Sequence, residues 1–409
     1  MVYCLLKTHS RRMLLVIIAM FSCTNFALAQ ESELLTIERA IILARANNIH
    51  LKSKSLEVER QKSLEKTSLD LPKTEFSWTR GQINTTTIDN SFNVTQSFSF
   101  PTVYIAQGKL LQEQRRLSET HFSVSESELM RDVKTAFYQL QYAYKKQQLL
   151  VSQDSIYSDF FKIASLKFAT GETSYLESIS ARSHYEEIHI MKKQADADVI
   201  IVSKEFQKIL NLPEVPKLAP IVFEKLSPPP LTEVSSFGGS TVLSIYTQRI
   251  QVTEAQASLE TQKFLPDLSL SYFNQSIDSK KGFQGFLVGI SVPIFFWSQQ
   301  GKLQAANLEA RIAESEYQYQ KLSLSVAREQ LVEQYNKDAE VLIYYDSSGL
   351  KLSDEILRSS NISYSKGDIS YVEHIQNLSH ATDIRLQYLE HLNQFNQTVI
   401  NLQFLFEGK

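Results

Sequence analysis

The sequence predicts a mainly α-helical chain that carries two β-hairpins and is built as two copies of one plan: helix, hairpin, long helix, turn, helix. Three observations predict it. The ten prolines leave residues 102–212 and 294–409 free of proline, stretches of 111 and 116 residues. A proline in a helix interior costs about 3 kcal/mol, so such gaps permit very long helices. Four short segments alternate between apolar and polar residues with the period of a strand. Landmarks recur in order at an almost constant offset: Leu71-Pro72 with Leu265-Pro266, Pro101 with Pro293, Gly108-Lys109 with Gly301-Lys302, and Gly171 with Gly367. Such order over so many residues is the mark of a tandem duplication.

Residues 1–29 read as a signal peptide. Lys7, Arg11 and Arg12 precede the apolar run MLLVIIAMF, and Ala27-Leu28-Ala29 offers a small-residue cleavage site. The run is about half of the roughly 20 residues a spanning helix needs. Both cysteines, Cys4 and Cys23, fall in this leader, so cleavage after Ala29 leaves no disulfide and no thiolate ligand. A cut just before Cys23 would instead expose it for a lipid anchor. Loss of the three leader cations takes the formal charge from −3 to −6, a balance that offers no basic surface to nucleic acid.

The first repeat is expected over 30–212. TEFSWTRG and SFNVTQSFSFP, around the polar loop INTTTIDN, predict strands at about 74–82 and 91–100. In the second of these, Phe92, Val94, Phe98 and Phe100 share one face while Ser and Thr fill the other. Beyond Pro101 the positions Leu129, Val133, Phe137, Leu140 and Tyr144 step by three or four, the stripe of a long helix in coiled-coil-like packing. The phrase GETSYLES at 171–178 ends that helix and a second helix follows. Residues 213–235 form a Pro-rich connector, PEVPKLAPIVFEKLSPPPL in its main part, which cannot be helical throughout. The second repeat, 236–409, repeats the plan. Strands are expected at about 268–276 and 284–293 around IDSKKG, then a helix of some 60 residues, the phrase GDISYVEH at 367–374, and a last helix striped by Leu386, Leu389, Leu392, Phe395, Val399 and Leu402.

A 60-residue helix is about 90 Å long, more than a compact monomer can bury. Strands of some ten residues with one apolar face have the length and pattern of a membrane barrel wall. Four are too few to close, and an open edge in lipid leaves backbone groups unsatisfied. Several copies must then complete the ring, and three would supply twelve strands.

With the duplicated plan, the stretches FLPDLSLSYF and VGISVPIFFWSQQGKLQAANLEARIAESEYQYQ, and the phrase GxxSYLE, the chain resembles the TolC family of outer-membrane efflux ducts over nearly its whole mature length. The resemblance implies a homotrimer in the cell outer membrane. Its twelve-stranded transmembrane β-barrel, four strands per chain, would cap an α-helical tube across the periplasm. It also implies a periplasmic adaptor, or membrane fusion protein, and an inner-membrane pump of the resistance-nodulation-division (RND) type as partners, with outer-membrane lipid around the barrel. The phrase SFSFPTVYIAQGKL and the moderate length are most similar to the heavy-metal efflux branch. The alternative is a periplasmic coiled-coil adaptor or structural protein of an envelope complex. Such a protein should carry Gly-rich β-domains after its helices, whereas this sequence stays helical through QFLFEGK.

The resemblance places Gly171 and Gly367 at the periplasmic tip where the adaptor docks, and the acidic residues six positions on, Glu177 and Glu373, at the closure of the tube. Three glutamates in one constriction would repel each other and attract cations, and Glu373 is the expected inner ring. Tyr364 matches a residue that holds the closed tip by hydrogen bonding, while Ile369 stands where the family carries a basic residue. Read without the resemblance, the glycines simply permit turns and the glutamates lie on a solvated helix face. His184 and His189 are five apart and off a shared face, and His374, His380 and His391 read as surface positions. Asp196 and Asp198 point in different directions. No phosphate-cradling loop or nucleophile elbow occurs, so neither catalysis nor a cofactor is expected.

Overall fold

The computed structural model describes residues 35–84, 86–214, 223–230 and 241–406. The leader, with Cys23, lies outside them, as does most of the connector. The first repeat holds α1 (Ile37–Asn47), α2 (Ile49–Glu65), β1 (Glu75–Gly81), β2 (Asp89–Phe98), α3 (Pro101–Ala169) and α4 (Tyr175–Leu210). The second holds α5 (Thr241–Gln262), β3 (Asp267–Ile277), β4 (Lys280–Ser291), α6 (Trp297–Tyr344), α7 (Leu350–Lys366) and α8 (Tyr371–Phe406).

Helix α3 runs unbroken for 69 residues, about 100 Å. Pro101 fits at its start because the first-turn N–H has no helical partner in any case. The sequence suggests an equally plain helix in the second repeat. Instead, one turn of π-helix, Tyr345–Gly349, separates α6 from α7. A Cβ at Gly349 would come within 2.9 Å of the Tyr345 ring, so the wide turn depends on glycine there. The Tyr345 hydroxyl donates to Gln387 Oε1 of α8 at 3.0 Å and ties the turn to its neighbour.

The four strands form one antiparallel sheet in the order β1-β2-β3-β4. Its register puts Phe76, Val94, Tyr272 and Phe286 in one row and Ser77, Asn93, Phe273 and Gly285 in the next. The strand boundaries shift from the expected ones for local reasons. Asp278 and Ser279 both take positive φ, 48° and 63°. They form a two-residue turn of the kind that suits the strand twist, and β4 therefore begins at Lys280 and not at 284. It stops at Ser291, short of Pro293, which has no N–H to give the ladder.

Each strand prolongs a helix, so the helices inherit the order of the sheet: α2 packs on α3, α3 on α5 and α5 on α6. Apolar contacts hold this row, for example Ala106 and Leu110 against Ala255 and Leu259. A second layer lies on it. Helix α4 packs along α3, joined to α1 through Phe137, Leu140, Phe206 and Ala40. Helix α8 packs on α6, α7 and α3. The described part of the connector, 223–230, lies against α8, where buried Asn396 accepts from Leu226 N at 2.9 Å and donates to Glu224 O at 2.9 Å. Phe223 and Leu226 cover Leu342, Leu392, Phe395 and Val399 beside it.

Candidate functional site

The repeated phrase builds the same turn twice. Gly171 and Gly367 take φ of 79° and 80°. After α3, the N–H of Glu172 donates to Lys167 O at 2.8 Å and that of Gly171 to Phe168 O at 3.1 Å. After α7, Asp368 donates to Ser363 O at 2.8 Å and Gly367 to Tyr364 O at 3.1 Å. This paired pattern is the Schellman motif, which satisfies the last carbonyls of a helix through a left-handed residue. A Cβ on either glycine would meet nothing within 4 Å, so glycine is required by backbone angle alone and not by crowding.

The rest of the phrase starts the next helix. Ser174 Oγ accepts from Glu177 N at 3.2 Å, and Ser370 Oγ from Glu373 N at 3.3 Å. In the second repeat the carboxylate reaches back: Glu373 Oε2 accepts from Ser370 N at 2.8 Å and completes a capping box. That backbone hydrogen bond holds the Glu373 carboxyl below its usual range. In the first repeat the Glu177 carboxylate takes the hydroxyl of Thr173 instead. The pattern S-x-x-E is the trace of this cap in the sequence.

Beyond the turns the two tips diverge. Tyr175 is 64% exposed, together with Leu166, Leu176 and Ile179, whereas its counterpart Tyr371 is 7% exposed. The difference is a neighbouring helix. Tyr371, Ile375 and Leu378 of α8 pack with Tyr157 and Ala164 of α3, and Phe160 of α3 meets Tyr371 at 6.1 Å and Tyr364 at 6.3 Å between ring centres. Tyr364 stacks on His374 at 4.6 Å, with the rings 2° from parallel, and Phe160 meets the same imidazole edge-on at 4.9 Å. His374, expected at the surface, is 1% exposed. It shares the spacing of Tyr371, Ile375 and Leu378, so the stripe that buries them buries it too.

Polar contacts run along the same seam. Thr382 Oγ1 donates to Gln153 Oε1 at 3.0 Å, and Ser360 Oγ lies 2.8 Å from His374 Nδ1. Burial lowers the His374 pKa, with a smaller opposing effect from Ser360. Burial also raises that of Tyr371, whose hydroxyl has no hydrogen-bond partner among the described residues.

Of the other singled-out groups, His189 Nδ1 and Lys192 Nζ meet Asp154 at 2.9 and 3.1 Å, an ion cluster between α4 and α3. Asp196 accepts from Gln147 at 2.7 Å. Among the described residues no group of His, Asp and Glu is arranged to hold a metal ion, and no helix is long and apolar enough to cross a membrane.

The sheet has one mainly apolar and one mainly polar face, with Gln96, Asn274 and Gln284 interrupting the first and Leu287 the second. One carries Phe76, Trp78, Val94, Leu270, Phe286, Val288 and Ile290; the other carries Ser77, Thr79, Asn93, Thr95, Ser269, Ser271, Gly285 and Gly289. On the second face Phe273 lies over Gly285, where a Cβ would approach its ring to 2.8 Å. Phe286, Val288 and Ile290 on the first face are exposed, the arrangement of a wall apolar toward lipid and polar toward a lumen.

Residues 243–406 match the model of the outer membrane efflux protein family. No individual curated protein matches the chain. The Campylobacter jejuni CmeC outer membrane channel superposes over 93% of this chain and 90% of its own, with a TM-score of 0.74 and 15% identity. The open state of the Neisseria gonorrhoeae MtrE outer membrane channel covers 90% and 88%, at 0.69 and 16%. CusC, solved in work on folding and transmembrane channel formation, covers 90% and 91%, at 0.70 and 17%. Residues 243–406 thus carry the pattern of the outer membrane efflux protein family, and over nine-tenths of its length the chain has the fold of these TolC-type outer-membrane channels.

Proposed function

We propose that three copies of this chain close into a passive outer-membrane duct, with a twelve-stranded barrel in the membrane and a helical tube below it in the periplasm. The observation that carries this reading is the open strip. Within the described residues β1 pairs only with β2 and β4 only with β3, and α2 and α6 are the outer members of the helix row beneath. Unpaired strand edges in lipid cost several kcal/mol for each unsatisfied group. Joining β4 of one copy to β1 of the next removes them by a head-to-tail contact that closes when the ring is complete.

The duct serves a tripartite efflux system in which an inner-membrane RND-type pump supplies the energy and a periplasmic adaptor meets the tips at Gly171 and Gly367. Tyr364, Glu177 and Glu373 form the periplasmic gate. Glu177 and Glu373 each stand at the first turn of a helix that begins at a tip, so three copies gather six carboxylates around one opening. The resemblance of SFSFPTVYIAQGKL to the heavy-metal branch favours metal cations as cargo.

The mass of the detergent-extracted protein tests the assembly. A trimer recovered from the outer-membrane fraction is the expected result, and a soluble monomer overturns the reading. For the cargo, cells lacking the chain should lose growth in raised copper, zinc or cobalt; unchanged tolerance to all three removes the metal assignment and leaves the duct.

A further inference from the structure

We infer that His374 makes closure of the second tip sensitive to protons: its neutral ring, wedged between Tyr364 and Phe160, holds the α7–α8 hairpin against α3, and protonation releases that hairpin. The inference rests on the reading of this tip as the periplasmic gate.

His374 is the piece through which three helices meet. It stands on α8, stacks on Tyr364 of α7 and takes the edge of Phe160 of α3. Its ring meets Ser360 of α7 at Nδ1. The titratable groups around this cluster are Tyr157 from α3, Glu177, His184 and Tyr185 from α4, Tyr364 from α7, and Tyr371 and Glu373 from its own helix. The carboxylates among them are Glu177 and Glu373. Glu177 acts on the cluster through Tyr371, and the Glu373 carboxylate is occupied by Ser370 N. An imidazolium here would have no bonded counter-charge.

Stacking on Tyr364 offers a cation some attraction to the ring face. Loss of water on every side opposes it, and burial is the dominant influence on this histidine. The sign follows. In the packed seam the His374 pKa is lowered; once the hairpin parts, the ring meets water and its pKa returns toward the ordinary 6.5. The seam therefore has its full stability above that value and loses it as pH falls below. The first tip has no such element, because Ser178 occupies the corresponding place after Ser174-Tyr175-Leu176-Glu177.

The test is channel conductance of the purified trimer in planar lipid bilayers, with the periplasmic side taken from about pH 7.5 to about pH 5.5. Open probability of the unaltered chain should rise by at least about threefold, the scale of a modest proton linkage. In His374→Phe, which keeps an aromatic ring, and in His374→Gln, which serves if the first does not assemble, the ratio of acid to neutral open probability should fall to about one. A flat response of the unaltered chain, or an undiminished response in both variants, overturns the inference. Phe160→Ala separates this from the gate reading: raised conductance at both pH values supports a gate at this seam, and no change in conductance overturns the gate itself.

Discussion

The α3–α4 tip and the α7–α8 tip are spelled by nearly the same words and fold locally into the same turn, yet one faces outward and the other is packed inside. Both have a left-handed glycine, a Schellman pair and a serine cap. Tyr175 and Tyr371, one residue after each capping serine, differ from 64% to 7% exposure. Local chemistry sets the bend and the start of the next helix. What covers the bend is decided above all by Phe160, outside the phrase, and by His374, the last residue of the second phrase where the first has Ser178.

This contrast sets the order of expected effects. Phe160→Ala removes the ring that the second tip packs on and should cost about 3 kcal/mol, the lower range for a large-to-small change at a packed aromatic. Phe168→Ala, at an exposed ring whose aromatic neighbour is Tyr175, should cost under about 1 kcal/mol. Denaturant unfolding of the purified protein measures both, and equal losses would erase the distinction between the tips. Gly171→Ala and Gly367→Ala should each cost about 1–2 kcal/mol, because the same left-handed angle is forced on a residue with a Cβ while the space beside it is open. A much larger loss at Gly367 would mean that the covered tip holds its turn more rigidly than the exposed one.

The smallest effect belongs to the caps. The Glu373 carboxyl, held below its usual range by Ser370 N, supports the first turn of α8 while ionised. That support is present above the unfolded glutamate pKa of about 4.5 and fades as pH falls through the lowered folded value. The protection of the amides at 370–373, as exchange relative to the intrinsic rate at each pH, should fall in acid, and Glu373→Ala should show the lowered protection already at neutral pH. If the variant is protected like the parent, the capping box contributes nothing.

The strands were legible because Phe92, Val94 and Phe98 alternate with Ser91, Asn93, Thr95 and Ser97, a pattern of period two that Gln96 alone interrupts between Ser91 and Phe98. The turn at Asp278-Ser279 was hidden, since two residues at positive φ look in sequence like the middle of a polar loop. The π turn at Tyr345–Gly349 left only one glycine as a trace. At the site, the glycines were legible as turns. Glu373 invited a role in a ring, although Ser370 three places earlier already supplied a local reason for a glutamate. His374 is buried, against the surface position its residue type suggests, because it lies in the stripe of Tyr371, Ile375 and Leu378. Which helix would cover that stripe is a tertiary fact that periodicity does not contain.

The two bare edges of the strip also bear on inheritance. In a ring closed head to tail, each copy must offer a sound β1 and a sound β4, so one copy damaged at one edge breaks a joint and leaves the ring open. A cell that makes equal amounts of normal chain and chain damaged at one edge would build only about one fully normal three-member ring in eight by random mixing. Damage confined to β1 or β4 should therefore be dominant over the normal gene, whereas loss of the whole chain should be recessive.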